Sequence, residues 1–149
     1  MYASIVLAFD GSRTGRVALR QGAELATLCG AKTHLVAVMP DVPGIAMVEG
    51  VYPVEALEQD EAEVREVIQE GLDRLRKRGL SAEGHLGVGD PADQISRIAR
   101  EVEADLVVVG HRHHGPLARW WRGSLGRSLL DLLDCSVLVA MNGQGGAEE

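Results

Sequence analysis

Asp105–Leu130 reads DLVVVGHRHHGPLARWWRGSLGRSLL. The first six residues, an apolar run ending in glycine, have the pattern of a strand buried on both faces. The next stretch holds Arg112, Arg119, Arg122 and Arg127, with no acid before Asp131, in a chain whose formal net charge is −7. A helical pattern then begins. A Gly-rich, cationic loop between a buried strand and a helix start is where α/β proteins hold phosphates, because backbone N–H groups and the positive end of the helix dipole meet there. This stretch therefore predicts both a parallel α/β fold and a phosphate-bearing ligand, foremost a nucleotide.

Four other apolar runs accompany Asp105–Gly110: Ser4–Phe9, Thr33–Met39, Glu83–Val88 and Ser136–Ala140. The third, EGHLGV, is the most polar and is expected at a sheet edge. Helical periods lie between them. Ala18, Gly22, Leu25, Ala26 and Cys29 form a narrow face of small residues suited to close packing. Val64, Val67, Ile68, Leu72 and Leu75 form a second face, with acids early, bases late and Gly79 as its stop. Asp90-Pro91 opens a third helix as cap and N1 proline, with Ile95, Ile98, Ala99 and Val102 facing inward. A fourth is expected from about Ser124, with Leu125, Leu129, Leu132 and Leu133 on one side. Alternating strands and helices demand a parallel sheet with right-handed crossovers. The expected fold is α/β: one doubly wound, five-stranded parallel sheet of order 3-2-1-4-5, with helices on both faces.

The 149 residues suffice for one domain with a sizeable core. With 46% hydrophobic and only 3% aromatic residues, that core must be aliphatic, which argues against a base-stacking surface. Net acidity argues against general nucleic-acid binding, which needs a broad basic face. Cys29 and Cys135 form no C-x-x-C and read as thiols in a reducing compartment. MYASIVLAFD has no basic leader, and its apolar run is too short to span a membrane, so a cytoplasmic protein is expected. Pro40–Pro53, with three prolines and two glycines, reads as a long loop, either a flap near the ligand or a surface excursion. Asn142–Glu149 is expected to be a disordered tail.

Ligands of open α/β sheets bind beyond the carboxyl ends of strands, where strand order reverses. The expected order puts that crevice between the first and fourth strands, where Asp10-Gly11-Ser12 and the cationic loop converge. Asp10 either accepts from a ribose or adenine or holds its own loop in an Asx-type turn. No Walker motif and no G-x-G-x-x-G follows the first strand. A phospho-acceptor receiver is also excluded. It would need clustered acids where Asp10 stands alone, an acceptor Asp ending the third strand, which closes in Val88-Gly89 before the helix-capping Asp90, and a Lys where the fifth ends in Met141-Asn142.

His111, His113 and His114 crowd one loop with no carboxylate or thiolate beside them in sequence, so they read as solvent-facing or phosphate-near rather than as metal ligands. No metal is expected except Mg²⁺ carried by a nucleotide. Trp120-Trp121 could stack on a base or pack against the body. The acidic run Glu55–Asp73 reads as a solvated helix face.

Taken together, IVLAFDGS near the start, VGDPADQI before the third helix, VVVG, GSLGRSLL and the closing CSVLVA resemble the universal stress protein family. The resemblance runs from about Ser4 to Met141, and it implies a domain over 1–141 with an adenine nucleotide alpha-hydrolase-like fold. The ATP-binding branch carries Gly, two residues, Gly, nine residues, Gly, then Ser or Thr. This chain has Gly110, His113 in place of the second glycine, and Gly123-Ser124 at the family spacing. Ser136 stands where many members have proline. The resemblance implies adenine against Ala8, Phe9 and Asp10, with backbone contacts near Val38. It counts Val109 among the nucleotide-binding residues and places phosphates on Gly110, His111, Arg112 and His113 and on the backbone of Gly123, Ser124 and Leu125. It further implies a homodimer through antiparallel pairing of Ser136, Val137, Leu138, Val139 and Ala140.

Histidine is among the non-glycine residues that adopt positive φ. The strain, about 1–2 kcal/mol, is small beside the roughly 8 kcal/mol of micromolar binding. The motif is therefore expected to work, and the chain to be an ATP- or AMP-binding stress or signalling module, with no catalytic residue and at most slow ATP hydrolysis. The alternative is a nucleotide-free dimeric scaffold of the same fold in which His113 ended binding. An ATP-dependent enzyme would need a catalytic group that the sequence does not offer. Partners are expected to be adenine nucleotide, a second copy and an unidentified protein, without nucleic acid or membrane.

Overall fold

The computed structural model describes residues 1–39, 49–50, 53–110 and 128–141. Its elements, in chain order, are β1 (Ser4–Ala8), α1 (Arg13–Cys29), β2 (Lys32–Met39), α2 (Val54–Lys77), β3 (Ala82–Val88), α3 (Pro91–Glu101), β4 (Leu106–Gly110), α4 (Leu129–Leu132) and β5 (Ser136–Ala140). The strands form one sheet of order β3-β2-β1-β4-β5, parallel at every pairing. Strand bounds fall within a residue of those read from the apolar runs.

Alternation along the strands divides the core in two. Ile5, Leu7, Phe9, Leu35, Leu106 and Val108 face α1 and α2, whereas Val6, Ala8, Val36, Val107 and Val109 face α3 and α4. Every residue of β1 and β4 is buried, which is why both read as continuous hydrophobic runs. The small face of α1 has a direct cause. A side chain at Gly22 would collide with Leu7, so the helix lies close against β1. The Ser12 side chain caps α1 by accepting from Gly15 N–H at 3.0 Å, and Gly30 ends it in the left-handed region. Asp90 caps α3 through Asp93 N–H, with Pro91 in its first turn. On α2, exposed pairs such as Arg65–Glu61 and Arg76–Asp73 bear out the solvated acidic face. No helix among the described residues is long and apolar enough to cross a membrane.

One element departs from expectation. Ser128 is extended, at φ −108° and ψ 165°, and α4 begins only at Leu129, so a continuous helix from Ser124 is corrected. The cause is a Ser-x-x-Asp cap. The Asp131 carboxylate accepts both the Ser128 N–H and its hydroxyl, each at 3.1 Å.

Candidate functional site

At the switch between β1 and β4, the chain turns three times in close quarters. Asp10 leaves β1 and its Oδ1 accepts the Ser12 N–H at 2.9 Å, the Asx-type turn that was one of two roles open to it. Gly11, at φ +79°, makes that turn possible. Gly110, the last residue of β4, lies against the first turn of α1. A Cβ there would come within 2.9 Å of the Thr14 carbonyl oxygen. The β1 loop, the start of α1 and the end of β4 thus meet at one place.

β2 forms the other wall. Phe9 N–H donates to the Val36 carbonyl at 2.9 Å, so Val36 turns its backbone groups toward β1. Residues alternate the edge to which these groups point. Val38 therefore turns its N–H and C=O to the same side, past the end of β1 at Ala8. These are backbone groups that an adenine ring could read.

The structure brings Ala8, Phe9, Asp10, Val38, Val109 and Gly110 to this end of the sheet. Phe9 and Val109 are 0% exposed, with side chains in opposite core clusters. Only their backbones are available to a ligand. His111, Arg112, His113, Gly123, Ser124 and Leu125 lie outside the described residues, as do His114, Trp120, Trp121, most of the Pro40–Pro53 loop and the Asn142–Glu149 tail. Because α4 starts at Leu129, the N-terminus of that helix lies beyond Ser124 in the chain.

A second cluster escaped the sequence reading. His34 Nδ1 lies 3.1 Å from His85 Nε2 and 3.7 Å from Glu83 Oε2. Burial lowers the His34 pKa from its ordinary 6.5; His85 adds to this, Glu83 opposes it and Lys32 adds further. The three residues are far apart or polar in sequence, and only the β2–β3 register, which pairs His34 with Glu83, unites them.

A model of the universal stress protein family matches residues 1–140. A universal stress protein of Synechocystis is 33% identical over 88 residues, a match spanning 59% of this chain and 57% of that protein's length. The universal stress protein YxiE of Bacillus subtilis is 26% identical over 147 residues, covering 93% of this chain and 99% of that one. A solved structure, the universal stress protein from Archaeoglobus fulgidus in complex with dAMP, is 30% identical, with a TM-score of 0.66 and coverage of 93% and 97%.

Proposed function

The chain belongs to the universal stress protein family, and from that premise we propose that it is an adenine-nucleotide-binding module whose occupancy alters its contacts in stress response or signalling. The observation that carries this reading is the convergence of the Asp10 turn, the Thr14–Gly110 approach and the Val38 backbone at the strand-order reversal. The similar Archaeoglobus fulgidus protein was solved with dAMP, which supports the ligand class. ATP, with Mg²⁺ held through its phosphates, is the form the loop motif favours.

The proposed division of labour follows the chemistry. Ala8 and the backbone of Phe9, Asp10 and Val38 take the base and ribose. The N–H groups of Gly110–His113 and Gly123–Leu125, with Arg112 and the Ser124 hydroxyl, take the phosphates. Hydrolysis is slow, because Asp10 Oδ1 is engaged by its turn and the loop offers no water-orienting Gln. β5, an edge strand with half-buried Val137, Leu138 and Val139, pairs with its two-fold mate. The domain spans 1–141, with 142–149 as a tail. Cys29 and Cys135 are both free thiols, as suits a cytoplasmic chain.

Native mass spectrometry of the purified protein, with ATP calorimetry on variants, tests the proposal. Bound adenine nucleotide is expected in the wild type. Gly123→Val should abolish binding, and His113→Gly should leave it equal or tighter. A silent wild type beside a binding His113→Gly would instead establish the nucleotide-free scaffold.

A further inference from the structure

The β2–β3 edge carries a set of side chains that nucleotide binding does not use. Glu83 and His85 are two residues apart on β3, so they share a face. Added side chains at Gly84 would meet Ile68 and Leu72 of α2, whereas one at Gly87 would meet Gln94 of α3. The odd-numbered positions of β3 therefore turn toward α3. His34 shares that face, because Val36, two residues on, packs in the α3 cluster. Two neighbouring strands thus present two imidazoles and a carboxylate side by side.

Their donor atoms all lie within 4.8 Å of one another, with separations of 3.1 Å and 3.7 Å from His34 Nδ1. In a tetrahedral zinc site with bonds near 2.0–2.1 Å, donors stand about 3.3 Å apart. The two separations from His34 bracket that value and the third is within 4.8 Å, so side-chain adjustments of about an ångström bring the three donors around one ion. Imidazole-rich sets with one carboxylate suit zinc and its late first-row neighbours; Mg²⁺ and Ca²⁺ prefer all-oxygen shells. β3 is an edge strand and Glu83 is largely exposed, which leaves a fourth position open to water.

We propose that His34, Glu83 and His85 form a site for Zn²⁺ or a similar divalent transition metal, separate from the nucleotide crevice. His34 stands four residues before Val38, about 13 Å away along β2. The competing account is a plain hydrogen bond between the two rings, one donating and one accepting, at their observed 3.1 Å. Lys32 lies on the same face and disfavours a cation, a repulsion that Glu83 counters.

The test uses the full chain, stripped with chelator and titrated with Zn²⁺ by calorimetry in the absence of nucleotide. Co²⁺ substitution, read by its visible tetrahedral absorption, gives a second signal. A His111→Ala/His113→Ala/His114→Ala variant removes the loop histidines. Wild type and this variant should each bind one Zn²⁺ per chain. His85→Gln and Glu83→Gln, at partly and largely exposed positions, should each weaken binding at least about tenfold, the lower end of what losing even a ligand's supporting group does. Their melting without metal checks that they fold. The proposal is overturned if the stripped wild type takes up no Zn²⁺ at micromolar concentrations. It is equally overturned if the loop variant loses the ion while folded His85→Gln keeps it.

Discussion

Replacing Gly110 with alanine probes the crevice with one carbon atom. The new Cβ would stand 2.9 Å from both the carbonyl oxygen and Cγ2 of Thr14, and 3.2 Å from its carbonyl carbon. Comfortable separations are about 3.5–4.0 Å, so β4 and the first turn of α1 must part by roughly 0.5 Å. Overpacking of this kind costs about 1–3 kcal/mol. At roughly 2–4 °C per kcal/mol for a chain of this size, the melting temperature should fall by roughly 2–12 °C. Since Thr14 follows Ser12 and the Asp10 turn, the shift also moves the base-binding wall. ATP affinity should drop about tenfold, equivalent to about 1.4 kcal/mol. Thr14→Ala in the same chain removes the methyl group but not the carbonyl, so it should restore less than half of the loss. Thermal melts and ATP calorimetry on the single and double variants read both effects. A Gly110→Ala protein that melts like wild type, or one fully rescued by Thr14→Ala, would refute the backbone contact as the cause.

Ser12→Ala should cost about 1 kcal/mol by removing the cap on Gly15 N–H, read as a lower urea midpoint; an unchanged midpoint would mean that water replaces the cap at no loss. Asp105 accepts N–H bonds from Ala3 at 2.8 Å and Ser4 at 3.1 Å, and these hold its pKa below the ordinary 3.8. Its stabilisation is therefore complete above 3.8 and fades as pH falls through the lower folded value. Asp105→Asn should be less stable at neutral pH and converge with wild type in acid, and parallel urea curves across pH would contradict this. Val139→Lys should turn the proposed dimer into monomer or aggregate by light scattering, with some loss of stability because Val139 also packs against the α3 side of the core. A persistent dimer would place the contact elsewhere.

Much of the fold was legible because burial on both faces leaves an unbroken aliphatic signature, as in Ile5–Ala8 and Leu106–Val109. Polar EGHLGV correctly marked β3 as an edge, and Asp90-Pro91 marked its helix. The start of α4 was misread because Leu125, Leu129 and Leu132 keep helical spacing through a point where Ser128 and Asp131 cap the chain instead. Periodicity reports which face is apolar, not where hydrogen bonding begins. Phe9 and Val109 lie at the crevice by position, yet their side chains belong to the core, a distinction that needs the direction of each Cβ. The His34–Glu83–His85 cluster was invisible for a different reason. It exists only through the stagger of two parallel strands, and no local spacing encodes that.

The two borders of the sheet differ in character. Ser136–Ala140 offers an apolar, uncharged rim, whereas the rim at β3 carries the projecting Glu83 and the bare backbone of Gly84. A chain with two adhesive rims would join head to tail without end, since each added subunit would expose a fresh rim. In the proposed dimer, adhesion confined to the β5 rim would exhaust itself after a single partner. The polarity of β3 would then act as a terminator, keeping that association to a finite pair and guarding against fibre growth.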